Sequence, residues 1–286
     1  MLESLIAPLS AALRVAEPSR TYDFRLFFQV RNLPLAEFRA LLDALRNEPR
    51  LEIFDHARQG SQSIDHTFLL HWMISRGQQV GAEQVVSDLE RYLSVEELEV
   101  TEYLLVEGLS LSTSFSFDGF RLVPWNEIPD SDTKYHFVAR QGLLSSAPEM
   151  AVSRTRTISR RHTRPWDATF FGWTTSSIEA IQDVLLCAAV VSRAGAQLLG
   201  FWVIPPDWAP WKATESQFGV NRSRSAFREM LNGPALENLA SVHHGWQHRS
   251  ANEKQRLRLP MERLNSSLLN QFPMVDSAID LGIAYE

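Results

Sequence analysis

The chain has 286 residues, 44% of them hydrophobic, and 28 basic residues against 34 acidic ones leave a net charge of −6. That is enough apolar material for a large core divided among two or three units. No run approaches the ~18 apolar residues of a membrane helix, and Met1-Leu-Glu3 carries a carboxylate where a secretion signal carries a cation, so a cytoplasmic address without membrane attachment is expected.

At the N-terminus Leu2, Leu5, Leu9 and Leu13 predict a short amphipathic helix, interrupted at Pro8 and ending before Pro18. Tyr22 to Arg31 is aromatic and β-branched enough for a strand, and Pro34 opens a helix with Leu35, Phe38, Leu42 and Leu45 on one face. Leu51 to Phe54 predicts a second strand. Ile64, His66, Phe68, Leu70, Trp72 and Ile74 alternate as a third. Val85, Val86, Leu89, Tyr92 and Leu93 form a helical stripe, and Val100 to Gly108 reads as a fourth strand. The order is βαββαβ, so residues 1–109 are expected to form a ferredoxin-like unit within an α+β chain.

Residues 110–173 read as a β-rich region. Phe115-Ser-Phe-Asp118-Gly119-Phe-Arg-Leu places Asp-Gly between alternating apolar residues, the pattern of a type I′ hairpin. Strands are expected at Tyr135–Arg140, Ala151–Ser159 and Asp167–Trp173, separated by clusters such as Ile128-Pro-Asp-Ser-Asp132. In residues 174–250, a helical and mixed region, Ser176-Ser-Ile-Glu179 has the spacing of a capping box and opens a helix carrying Ile178, Ile181, Leu185 and Ala189. That helix is apolar on most sides, which means burial between layers. The single cysteine, Cys187, lies within it, so neither an internal disulfide nor a cysteine metal site can form. Leu198 to Ile204 reads as a strand ended by Pro205-Pro206, and helices follow at Ser225–Leu231 and Ala235–Trp246. Residues 251–286 hold two further helical patterns: Leu257, Met261, Leu264 and Leu268, then Val275, Ile279 and Ile283 behind Pro273. The second lacks a stop signal, and its last residues place Glu286 at the negative end of the helix dipole, which leads to the expectation that the natural protein continues.

Charge is unevenly spread. Residues 1–110 carry ten arginines, no lysine and seventeen acidic groups, whereas residues 134–164 carry seven basic groups against Glu149 alone. The basic middle either steers an anionic partner to itself or attracts the acidic part of the same protein. Arg154, Arg156, Arg160, Arg161, Arg164 and Trp166, with Tyr135 and His136 upstream, combine cations for phosphates with rings for stacking, and are the candidate nucleic-acid-binding residues. Against this, Arg154, Arg156 and Ile158 share a strand face, where arginines also serve as a solvated edge that discourages aggregation.

Other constellations are weaker. Phe28-Gln-Val-Arg-Asn-Leu-Pro34 is similar to an RNA-contacting strand motif, but its companion motif is missing from Asp65–Trp72 and the region is acidic. Arg156 and His162 have the spacing R-x5-H on a strand and loop. His244 and His248 stand at i and i+4, a spacing able to hold a metal ion, without an acidic residue nearby in sequence and with Gly245 between them, so no metal site is assigned. Trp202, Trp208 and Trp211 surround Pro205, Pro206 and Pro210 and suit packing between domains or ligand binding. There is no G-x-S-x-G, no phosphate loop, and no paired acid/base signature, so neither a catalytic set nor a cofactor is assigned.

The last thirty residues follow the form R-x-N-x-x-L, loop, D-x-x-I-D-L-x-I-A-x-E, through Arg263, Asn265, Leu268, Asp276, Ile279, Asp280, Leu281, Ile283, Ala284 and Glu286. This fingerprint resembles the opening of the HEPN domain in ApeA-like proteins, which are prokaryotic and defence-associated. The resemblance implies that residues 251–286 are the first two helices of an incomplete HEPN-like domain, and that Glu286 matches a family glutamate with a catalytic role. It also implies a homodimer through those helices, and a metal-independent ribonuclease motif, Arg-x4-6-His, on a later helix beyond this chain. Residues 1 to about 250 would then be the sensor or regulatory part of an anti-phage, abortive-infection protein responding to RNA or a phage-derived trigger. The alternative is a stand-alone RNA- or protein-binding module using residues 134–164.

Overall fold

The computed structural model describes residues 2–17, 35–54, 58–59, 62–63, 65–129, 149–159, 168–192, 194–210, 214–217 and 229–269. They mix helices with a largely antiparallel sheet, an α+β architecture, in two compact units. The first comprises Met1–Val100 with Thr157–Phe171 and Pro205–Ala213; the second comprises Thr101–Arg156, Gly172–Ile204 and Thr214–Glu286.

In the first unit four helices pack together: α1 (Ile6–Val15), α2 (Ala36–Arg46), α3 (His66–Val80) and α4 (Ala82–Ser94). Pro8 does not interrupt α1, because it lies in the first turn, where the missing N–H has no intrahelical acceptor. The core between them is built from Leu9, Phe38, Leu41, Leu45, Leu69, Met73, Val85, Leu89 and Tyr92, all buried. Leu13 leans over Gly77, whose Cβ, were there one, would lie 2.8 Å from the leucine Cδ1; the hydrogen on Gly77 is what lets α1 approach α3.

Two of the four strands expected of a ferredoxin-like unit are helical. Residues 64–74 alternate, but the alternation skips Leu69 and Met73. With those two included, Leu69, Leu70, Met73, Ile74 and Gly77 form one buried stripe at helical spacing, and the Asp65 carboxylate caps the helix by accepting from the Phe68 amide at 2.9 Å. Residues 51–54 belong to a 3₁₀ turn, Pro49–Phe54, in which Leu51 and Phe54 at i and i+3 point into the core. The strand expected at 22–31 lies outside the described residues. Two short strands, β1 (Arg58–Gln59) and β2 (Gln62–Ser63), pair antiparallel.

The second unit is organised by a six-stranded sheet. Its strands are β3 (Glu97–Glu107), β5 (Phe115–Phe117), β6 (Phe120–Pro124), β7 (Met150–Ser159), β8 (Gln197–Ile204) and β9 (Thr214–Gln217), in the order β5-β6-β7-β3-β8-β9. β3 opens on Glu97 rather than Val100, and its register with β8 shifts between Leu105 and Val106. Leu105, Val123, Ile128, Ala151 and Leu199 form a core cluster, with Tyr103, Trp125 and Ile204 packed at its margin. The Asp-Gly hairpin forms as its sequence dictates: Asp118 and Gly119 have φ of 45° and 79°, and Phe117 pairs with Phe120.

Helix α5 spans Ala168–Val191, so residues 168–173 of the strand expected at 167–173 are helical and the Ser176–Glu179 box lies inside the helix rather than at its start. A short aromatic run has no period that separates a strand from a buried helix. Residues 229–230, expected to be helical, form β10 (Glu229–Met230), which pairs in parallel with β4 (Leu109–Ser110). The remaining helices are α6 (Gly233–Gln247), capped by Asn232 and carrying Pro234 in its first turn, and α7 (Ala251–Leu268), opened by a complete Ser250–Glu253 capping box. Among the described residues no helix is long and apolar enough to cross a membrane.

Candidate functional site

The most chemically crowded part of the second unit lies where the β5–β6 hairpin meets α6. Asp118 is at the hairpin tip with positive φ, a conformation that aspartate tolerates better than bulkier residues. Its Oδ2 accepts from Nδ1 of His243 at 2.9 Å. His243 is wholly buried, and its ring meets those of Phe117 and Phe120 edge-on, each at 5.3 Å between centroids. On the far side of the ring, the Gln247 amide Nε2 lies 3.1 Å from Nε2 of His243. Since a carboxylate can only accept and an amide nitrogen can only donate, His243 carries its proton on Nδ1 and accepts at Nε2. The hydrogen bond from His243 holds the Asp118 carboxyl below its ordinary range, against the upward push of partial burial.

Carboxylate–imidazole pairs of this kind are used as general bases when the second nitrogen faces a substrate. Here that nitrogen is closed off by Gln247 and the ring is buried, so the pair fastens the hairpin to α6. His244 and His248 present the opposite situation. They are exposed on the same helix face, with ring centroids 4.3 Å apart. Gly245 does not break α6 between them.

The sequence-derived nucleic-acid candidates divide in two. Arg154 and Arg156 lie on β7, and both reach Glu102 of β3: Arg154 Nε donates to its Oε2 at 2.6 Å, and Arg156 Nη1 stands 3.8 Å from its Oε1. The Glu102 side chain is 0% exposed, those of Arg154 and Arg156 15% and 29%. Burial lowers the Arg156 pKa and the Glu102 carboxylate opposes it. The Arg154 guanidinium also lies 5.8 Å from the Phe120 ring centre, within cation–π range. Phe120 thus touches both Arg154 and His243, and joins the two polar clusters through one ring. Arg160, Arg161, His162, Arg164, Trp166 and Glu286 lie outside the described residues. In the aromatic loop, Trp208 receives the Arg91 guanidinium over its ring at 4.0 Å, while Trp211 is outside the described residues.

The third cluster surrounds a residue of the C-terminal fingerprint. Asn265 on α7 makes two hydrogen bonds to the backbone of Ala196: its Oδ1 accepts from the amide at 2.8 Å, and its Nδ2 donates to the carbonyl at 3.0 Å. Gly195 lies beneath, so close that a Cβ would stand 2.7 Å from the Asn265 carbonyl oxygen and 2.6 Å from Leu269 Cγ. Arg258, two turns earlier, reaches Asp183 on α5.

Sequence reasoning missed Glu102, Asp118 and Gln247 as members of these clusters. Glu102 carries one local signal, a charge inside the otherwise apolar run Val100–Val106. The pairing of Asp118 with His243 joins residues far apart in the chain, and nothing in their own neighbourhoods indicates it. No family model matches the chain, and neither a curated protein nor a solved structure does.

Proposed function

We propose that the chain is the sensor or regulatory part of a prokaryotic anti-phage protein of the ApeA-like HEPN class, and that it does not itself supply the ribonuclease motif. The observation that carries the reading is Asn265. In the fingerprint R-x-N-x-x-L it is the central polar residue, and its amide grips both backbone groups of Ala196. An asparagine satisfied by a donor and an acceptor of one residue fixes the register of α7 against the chain leading into β8. A fingerprint residue doing that work supports reading the stretch as a docking junction of the regulatory part. On this reading, the trigger is an RNA or a phage-derived molecule, the basic segment 134–164 is where it binds, the HEPN-like helices pair two copies, and the protein acts in the cytoplasm.

The test is a phage challenge of cells expressing the gene in its natural reading frame, compared with Asn265→Ala. Protection in the wild type, lost in a variant that is still expressed and folded by circular dichroism, is the expected result. The purified 286-residue chain should leave RNA intact; cleavage that disappears in His162→Ala would overturn the proposal. Absence of protection together with RNA binding whose steep salt dependence disappears when Arg154, Arg156, Arg160 and Arg161 become Ala would instead favour the stand-alone binding module.

A further inference from the structure

His244 and His248 project from the C-terminal end of α6. The His244 side chain is 65% exposed and His248 is exposed as well. Each nevertheless has an acceptor beside its Nδ1. Nδ1 of His248 is 2.8 Å from the His244 carbonyl oxygen, so this nitrogen carries the proton and Nε2 keeps its lone pair. Nδ1 of His244 faces Asp118 Oδ1 at 3.6 Å, beyond hydrogen-bond length but close enough for the carboxylate to favour a proton on that nitrogen. Asp118 is itself held in place by His243. An imidazole whose Nδ1–H faces a carboxylate or a backbone carbonyl, leaving Nε2 outward, is the usual preparation of a metal-ligating histidine.

The ring spacing is close to what a shared ion needs. For metal–nitrogen bonds of about 2.0–2.1 Å, each ring centre lies about 3.1 Å from the ion, so two imidazoles meeting it at about 90–109° have centres about 4.4–5.1 Å apart. The observed separation, 4.3 Å, falls just under that range, so the two exposed side chains must part slightly to take up an ion. Electrostatics point the same way, since the end of α6 is the negative pole of its dipole and Asp118 adds a carboxylate beside it. The nearest cation along the chain, Arg249, is held by Glu253 at 3.1 Å, and the Lys254 ammonium stands over the Trp246 ring.

We propose that His244 and His248 form a two-nitrogen site for a divalent transition-metal ion, with Asp118 and the His244 carbonyl orienting the two rings. Among the described residues no group of three or more histidine, cysteine or carboxylate side chains could hold a metal. In the proposed site the other coordination positions are open to water or to an incoming ligand. Such a site prefers copper(II), nickel(II) or zinc(II) to magnesium or calcium, because imidazole is a borderline ligand and the latter ions take oxygen.

The experiment titrates copper(II) into the purified 286-residue chain at neutral pH and counts coordinated imidazole nitrogens by electron paramagnetic resonance. One copper with two imidazoles is expected, with one imidazole lost in His248→Ala and the stoichiometric site lost in the His244→Ala/His248→Ala pair. Both positions are exposed, so unchanged far-ultraviolet circular dichroism should accompany the loss. A double variant that keeps the two-nitrogen spectrum, or a wild type that binds no copper stoichiometrically, would overturn the proposal.

Discussion

Glu102 is the residue whose surroundings demand most of its neighbours. Its carboxylate is 0% exposed, and it is tolerable there because Arg154 supplies a charge-assisted hydrogen bond at 2.6 Å and Arg156 a second positive charge at 3.8 Å. Removing one partner of a buried pair leaves the other's desolvation uncompensated, a loss of about 3–5 kcal/mol. Arg154→Ala is therefore expected to destabilise the protein by about 3 kcal/mol, and Arg156→Ala, whose contact is longer and whose side chain is more exposed, by less; urea unfolding checks both. Equal small losses would mean that the two arginines are spectators of Glu102. The same contacts bear on nucleic-acid binding, since guanidinium groups already drawn to a carboxylate are only partly available to a phosphate.

At the scale of elements, the docking of α7 depends on the absence of a side chain. Gly195 lies against the last turn of the helix, where a Cβ would fall 2.7 Å from both the Asn265 carbonyl oxygen and the Leu269 amide. Those are backbone atoms, which cannot swing aside as the end of a leucine can. Gly195→Ala should force α7 away from Ala196, break the paired Asn265 hydrogen bonds and cost about 1–3 kcal/mol, as overpacking does. Hydrogen exchange at Ala196 and Leu269 is the direct readout, and unchanged protection there would contradict the account. At Gly77 the equivalent clash is with the tip of Leu13, so Gly77→Ala should be milder. Among the expected elements, the Asp118-Gly119 hairpin, the helix at 235–246 and α4 with its stripe formed, whereas the Ser176–Glu179 box does not start a helix. Residues 64–74 alternate at period 2 only when Leu69 and Met73 are set aside, and with them the buried positions follow the helical period. The run 167–173 has no period that favours a strand over a helix.

Taken as a whole molecule, the chain carries a net charge of −6, and among the described residues the depressed carboxylates, Glu90 in the first unit and Asp118 and Glu253 in the second, set how it responds to acid. Slight burial pushes Glu90 up, but the Leu2 amide and Arg50 outweigh it and hold the group below its ordinary value. The Ser250 amide and hydroxyl, followed by Arg249, bring Glu253 down to about 2. A carboxyl whose pKa is lower folded than unfolded contributes stability that is complete above the unfolded value. That contribution is lost as pH falls through the folded value. Stability should therefore be flat above pH about 4.5 and decline from there toward 2, with α7 fraying from its Ser250 end; Glu253→Gln should remove part of the decline. Circular dichroism across that range would test it, and a loss beginning only above pH 6 would implicate histidines instead. What the amino-acid order determined alone was local: the α+β class, the type I′ turn, most helix stripes, and the fingerprint containing Asn265. Each is specified by residues within a few positions of one another, where steric and hydrogen-bonding rules act directly. Tertiary structure alone decided that Glu102 would be neutralised by Arg154 and Arg156, that Asp118 would stand between His243 and His244, and that Asn265 would find Ala196. Those pairings join distant parts of the chain, and their partners are selected by packing, which local spacing does not encode.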